Sequence, residues 1–352
     1  MADFRQFCTP RRVDAVVARD VAWSMWLLAG LCVVRIPAAV GQTPDAEAPV
    51  LRVGMIGLDT SHCLAFTGLL NDERSPEHVA GCRVTKVYPR GSPDIESSVS
   101  RVPEYTEKIR GMGVEVVEDL DTIVSGVDVV LLETNDGRPH LDQVVPVLRA
   151  GKPVFIDKPL AGTLVDAITI CRLAEHHRVP VFSSSALRFG AGTQAVRNGA
   201  VGEVTGCDVF SPCSLEPTHP DLFWYGIHGC ESLFTVMGPG CRTVTRAHTA
   251  AFDQVTGVWH DGRIGTFRGI RRGKGGYGGI AFGTEGTKPV GDYGGYRPLV
   301  VEIVKFFTTG RPPVSSAETL EIYAFMEAAD ESKRQGGAPV PVRDVMARAE
   351  AE

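Results

Sequence analysis

The chain has nine cysteines, and no two are spaced as CxxC. That absence excludes a zinc ribbon or a redox dithiol as the organising feature. An odd number also argues against a full disulfide framework, so free buried thiols are expected. There is no HExxH or comparable cluster, and no metal is expected. Positive charge is not in excess: 36 Lys and Arg stand against 42 Asp and Glu, a net charge of −6. The brief basic cluster at Arg271, Arg272 and Lys274 reads as a solvated loop, so nucleic acid is not an expected partner. No internal repeat is evident. The apolar run Val21 to Val34 is short for a membrane span and stops at Arg35, so no stable span is expected in the mature chain.

What is present is ordinary globular material. The 352 residues are 43% hydrophobic and 22% charged, enough to build two domains. Residues 1–48 have the outline of a signal peptide and linker. Arg11, Arg12 and Arg19 precede the apolar run, small residues follow at Ala38, Ala39 and Gly41, and Gln42 to Ala48 is polar. Export to the periplasm is the expectation, with Arg11-Arg12 inviting a twin-arginine reading and a cytoplasmic location as the alternative.

From Leu51 the pattern alternates. Strands are expected at Leu51 to Gly57, Arg83 to Tyr88, Val114 to Val117, Val127 to Glu133, Val154 to Ile156 and Val179 to Ser183. Helices are expected at His62 to Leu70, Pro103 to Met112, Arg138 to Ala150 and Leu164 to His177. Such alternation predicts an α/β fold with a doubly wound parallel sheet over residues 49–185. Residues 186–352 change character. A strand at Glu203 to Phe210 and a helix within Leu222 to Met237 precede four runs rich in glycine and β-branched residues, ending at Gly283. These predict consecutive antiparallel strands in an open sheet, and two helices, Arg297 to Thr308 and Ser316 to Arg334, finish an α+β domain.

Four stretches carry chemistry, with Arg90 and Ser92 after the second strand as an addition to the first. The first strand runs into Gly57-Leu58-Asp59-Thr60-Ser61-His62, where a dinucleotide-binding domain carries GxGxxG. Gly57 serves as the first glycine, but Asp59 and His62 stand at the other two. A carboxylate about 4 Å from a phosphate repels it by a few kcal/mol. Asp59 is placed either to cap the next helix or to sit in the anion site, while Thr60, Ser61 and His62 add donors for a phosphate. The second strand ends without an acidic residue to grip a ribose, and Arg90 with Ser92 favours a 2′-phosphate, so NAD and NADP both stay open. The fourth strand runs into Glu133-Thr134-Asn135-Asp136 and reaches His140. Polar residues there line a cofactor crevice or cap a helix.

The third stretch is Val154-Phe155-Ile156-Asp157-Lys158-Pro159, an apolar strand that puts Lys158 at the mouth of the crevice. Pro159 biases Lys158 toward extended backbone. The fourth is Tyr225-Gly226-Ile227-His228-Gly229-Cys230-Glu231. His228 titrates near neutrality and suits acid/base work. Glu231, three residues on, shares its helix face and is expected to orient the imidazole. Phe223, Trp224 and Tyr225 offer an apolar platform, Arg188 is a further substrate contact, and metal ligation by His219 is conceivable.

Together these residues resemble the glucose–fructose oxidoreductase, inositol dehydrogenase and MocA (Gfo/Idh/MocA) family, from Leu51 to the C-terminus. The resemblance implies a Rossmann domain followed by a substrate domain on an open antiparallel sheet. It implies NAD(P)-dependent hydride transfer at a sugar or polyol hydroxyl, with Lys158 as catalytic lysine, His228 as general base and Glu231 at the acidic position beyond it. Asp157 replaces the family's glutamate, and Trp224 stands where an aspartate is usual. The cofactor is expected against Gly57, Asp59, Thr60, Ser61, His62, Arg90, Thr134, Asn135, His140, Asp157, Lys158 and Pro159. Two other readings stay open: redox-neutral glycoside cleavage through a transiently oxidised sugar, and a ligand-binding relative without turnover. A homodimer or homotetramer is expected, because the open sheet face exposes apolar surface.

Overall fold

The computed structural model describes residues 49–352. The expected signal peptide and linker, and with them the localisation, lie outside the described residues. Residues 48–352 form one compact unit.

Alternation of apolar strands with amphipathic helices builds the first layer. In chain order it contains β1 (Leu51–Ile56), α1 (Ser61–Asn71), β2 (Cys82–Tyr88), α2 (Glu96–Gly111), β3 (Glu115–Val116), α3 (Leu120–Gly126), β4 (Val129–Leu132), α4 (His140–Arg149), β5 (Val154–Asp157), α5 (Leu164–His177) and β6 (Val181–Ser184). The six strands run parallel in the order β3-β2-β1-β4-β5-β6. The order reverses direction between β1 and β4. Ligands bind at such a switch point, outside the carboxyl ends of the strands. Side-chain caps set the helix starts: Thr60 accepts from the His62 amide at α1, and Thr163 from the Asp166 amide at α5.

After a 3-10 turn, Ala186–Phe189, the second half holds α6 (Ala191–Arg197), β7 (Val204–Pro212), α7 (Asp221–Trp224), α8 (Ile227–Met237), β8 (Cys241–His248), β9 (Phe252–Trp259), β10 (Ile264–Ile270), β11 (Gly278–Gly283) and β12 (Gly286–Val290). It ends with α9 (Arg297–Thr309), α10 (Ser316–Arg334), β13 (Val340–Pro341) and α11 (Val342–Ala351). The seven strands are ordered β12-β11-β7-β10-β9-β8-β13. The sheet is mixed rather than purely antiparallel, because β7 and β10 pair in parallel. Consecutive strands were expected to neighbour one another; β11 instead passes over β10 to pair with β7.

Smaller departures have local causes. Helix α2 starts at Glu96, ahead of the expected Pro103, and carries that proline inside it. The short elements α3 and β12 leave too little periodicity to read, whereas α11, with Val342, Val345 and Ala349 buried at helical spacing, is an addition to the expected helices. Helix α9 packs Leu299, Val300, Ile303 and Phe306 against Phe66, Phe155 and Phe182 of the parallel-sheet layer. The C-terminal segment therefore returns to the first layer and locks the two sheets together. The described cysteines are free, and most are buried. Among the described residues no helix is long and apolar enough to cross a membrane.

Candidate functional site

A cavity of about 330 Å³ opens at the switch point. One wall is the phosphate-turn side: Thr60, Ser61 and His62, with Ser97, Arg101 and Asn135. The other carries Lys158, Ser185, Trp224, Tyr225 and His228, and Tyr277, Tyr293 and Tyr296 close it.

The turn after β1 has a clear backbone logic. Gly57 has φ +98°, and a Cβ there would lie 2.4 Å from the Thr134 amide nitrogen. Only glycine fits. Asp59 is wholly buried, but it neither caps α1 nor occupies an anion site. Thr60 is the cap. The Asp59 carboxylate accepts from the Asn135 amide and from Ser98 Oγ, each at 2.8 Å. Burial raises its pKa above the ordinary value, against the lowering pull of these two donors. The loop after β2 seals it in: a Cβ on Gly91 would sit 3.1 Å from that of Asp59. The expected repulsion of a phosphate is thus relieved, because the carboxylate points into protein and is already satisfied. Thr60, Ser61, Asn135 and the Arg101 guanidinium remain along the cavity as donors, a set that fits an anionic group at a helix N-terminus.

Several expected contacts fall elsewhere. Arg90 stacks 4.9 Å over the Tyr88 ring and donates to its hydroxyl at 2.5 Å. It is engaged by Tyr88 and does not line this cavity. Thr134 donates to Gln143 at 2.9 Å. His140 is buried and braces its loop through the Leu160 and Thr134 carbonyls, at 3.2 and 2.7 Å. His219 is no metal ligand; its Nε2 faces buried Asp136 at 3.0 Å. Asp136 also accepts from Ser92 and Arg138. Burial pushes its carboxyl up, but His219, Arg138 and Ser92 together pull it below the ordinary range.

The Lys158 side comes together as a site. Its ammonium is nearly buried and lies 3.7 Å from Asp157, before a cis bond to Pro159. Burial raises the Asp157 carboxyl, and the His62 and Lys158 charges outweigh it to leave the group below its ordinary value. His228 Nδ1 is 2.7 Å from Ser185 Oγ. Burial lowers the imidazole pKa well below its usual value, and the Lys158 charge lowers it further. His228 is therefore neutral near pH 7.

Glu231 does not orient His228. It accepts from Ser184 at 2.9 Å and from Arg188 Nε at 2.5 Å. Arg188, expected at the substrate, is 2% exposed and bridges Glu231 to Glu318 behind the cavity. Three residues apart on a helix gives two side chains one face, but Arg188 from the neighbouring turn competes for the carboxylate and wins by charge. Of the aromatic trio, Trp224 and Tyr225 line the cavity, whereas Phe223 is core, edge-on to Tyr323.

Sequence reasoning missed Ser185, Arg101 and the three tyrosines. Tyr225 and Tyr277 hydroxyls meet at 3.2 Å, and Tyr293 stacks edge-on to Tyr296 at 5.6 Å. The available signal was the glycine-rich stretch Gly273 to Gly295, since long loops on a rigid scaffold often carry binding residues.

A model of the oxidoreductase family with an NAD-binding Rossmann fold matches residues 51–185. The match covers the Rossmann domain, and over those residues this chain is similar to the Gfo/Idh/MocA oxidoreductases. A curated inositol 2-dehydrogenase from Rhodococcus erythropolis is 32% identical over 129 residues, 36% of this chain and 32% of that relative. The match thus spans about a third of the curated relative's length. A solved myo-inositol dehydrogenase from Lactobacillus casei, in complex with NAD(H) and myo-inositol, has a TM-score of 0.66 at 16% identity, covering 83% of this chain and 97% of that one. A scyllo-inositol dehydrogenase from the same organism gives 0.68 at 14% identity, covering 84% and 98%. At these identities the likeness is one of fold. The chain therefore pairs an NAD-binding Rossmann domain with a second, mixed-sheet α/β layer.

Proposed function

We propose that this chain interconverts a sugar or polyol hydroxyl and its carbonyl with NAD. The observation that carries the reading is the meeting of Lys158 and His228 with the phosphate-turn donors around one cavity. When bound, the nicotinamide supplies the hydride acceptor. Thr60, Ser61, Asn135 and Arg101 would hold the phosphates, and Lys158 would lie at the nicotinamide end.

The chain's own residues then handle the proton and the charge. In the tautomer that donates from Nδ1 to Ser185 Oγ, His228 keeps Nε2 bare to accept the hydroxyl proton. The Lys158 ammonium stabilises the developing alkoxide in a site largely shut from water. Trp224, Tyr225 and Tyr277 present flat apolar surface with polar tips, suited to the C–H face and hydroxyls of a ring.

Calorimetric titration with NAD and NADP, followed by cofactor reduction assays over inositols and hexoses, tests the reading. Lys158→Ala should lower turnover sharply with little loss of cofactor affinity. Unchanged turnover, or no binding at millimolar cofactor, would overturn it.

We also infer a homo-oligomer built on the open face of the mixed sheet. Phe282 and Ile264 flank Gly206 in one row, with Ile280 and Phe210 in the next two, and all four are substantially exposed.

A further inference from the structure

Hydride chemistry leaves one buried group unexplained. Glu133 follows β4, Asp157 ends β5, and His62 is the second residue of α1. Glu133 and Asp157 are 0% exposed and His62 only 7%. One ligand atom from each lies within 4.8 Å of the others. Neither Glu133 oxygen has a hydrogen-bond partner. His62 Nδ1 and Asp157 Oδ2 are 2.7 Å apart, yet they are not aligned for a hydrogen bond.

Charge points the same way. Glu133 and Asp157 are fully buried at this switch point; Asp157 meets Lys158 and His62, whereas neither Glu133 oxygen has a hydrogen-bond partner. An ionised carboxylate stripped of water and left unpaired is costly. A divalent cation would satisfy Glu133 and close the balance.

We propose that His62, Glu133 and Asp157 bind a divalent transition-metal ion beside the cavity, whose wall His62 joins. One imidazole nitrogen with carboxylate oxygens suits zinc or manganese better than calcium or magnesium, which take oxygen alone. Three protein ligands leave a coordination position open. Of the three, His62 also lines the cavity wall. The proposal reverses the expectation of a metal-free chain and stands independently of the hydride-transfer reading. No short motif announced it, because the three ligands come from three separate elements.

The test needs no substrate or cofactor. The full chain, loaded with zinc or manganese and desalted, should retain about one equivalent by elemental analysis. Chelator treatment should lower its melting temperature, and readdition should restore it. In the stripped protein, cobalt should give visible absorption typical of a low-coordinate nitrogen–oxygen site. Glu133→Gln and His62→Gln should each bind at least tenfold more weakly while keeping a cooperative melt. No retained metal and no melting shift with zinc, manganese or cobalt overturns the proposal, as does wild-type binding by both variants. Should a variant fail to fold, anomalous diffraction from wild-type crystals decides. A metal peak among the three side chains supports the site, and its absence there overturns it.

Discussion

At the residue scale, the site depends on how burial reshapes single titrating groups. His228 has a pKa depressed by burial and by the Lys158 charge, so it remains neutral as pH falls through the ordinary histidine range. The acid limb of kcat/KM should therefore lie well below pH 6.5. Lys158→Ala removes one of the three depressing influences, leaving burial and the His62 charge, so its residual activity should show that limb at higher pH. A limb that stays in place would detach Lys158 from His228. His228→Ala should lower kcat by roughly 10²- to 10⁴-fold. Ser185→Ala should lower kcat less, with KM nearly unchanged, as expected of a residue that positions another.

Asp59 gives a stability prediction with a definite sign. Its folded pKa is raised, so the folded state holds this proton to higher pH than the unfolded state does. Stability from this group is full below the unfolded value near 3.8 and declines as pH rises toward the folded one. Asp59→Asn lacks that decline. The difference in unfolding free energy, variant minus wild type, should grow with pH across this window and then level off. A flat difference in denaturant melts would show that Asp59 is ionised in both states alike.

At the element scale, loops determine what the strands present. The β4–α4 loop is pinned from three sides: by Gly57 beneath Thr134, by Asp59 on the Asn135 amide, and by His219 and Arg138 on Asp136. Breaking a buried pair from one side costs roughly 3–5 kcal/mol. Asp136→Ala should lose about that much in urea unfolding, since it strands His219 and Arg138 together. A loss under about 1 kcal/mol would show that water replaces the carboxylate readily. The strand–turn at Gly57 and the strand before Lys158 were legible because their residues are local and their constraints one-dimensional. The Glu231–His228 pairing was misread for the opposite reason. Helical spacing shows who shares a face, but Arg188 reaches Glu231 from 43 positions away in sequence.

At the scale of the whole molecule, the mixed sheet covers one face with helices and leaves the other open. Phe210, Ile264, Ile280 and Phe282, between 38% and 52% exposed, share that open face by strand register. Exposed apolar patches of this kind mark interfaces. Light scattering on the purified chain should report a dimer or larger species, and Ile264→Glu with Phe282→Lys should reduce its mass. A monomeric wild type at micromolar concentration would remove this role from the face.

The amino-acid sequence by itself determined the parallel layer, its switch point and the placement of Lys158 and His228. Hydrophobic periodicity, turn glycines and strand ends are encoded over a few neighbouring residues. Only the tertiary structure decided what those residues meet. Asp59 turns inward, Arg188 binds Glu231, the turns flanking β11 and β12 bring Tyr277, Tyr293 and Tyr296 to the cavity, and His62, Glu133 and Asp157 converge out of solvent. Each of these rests on contacts between elements distant in sequence. There, burial and competition among charges select the partner, and no local pattern records the outcome.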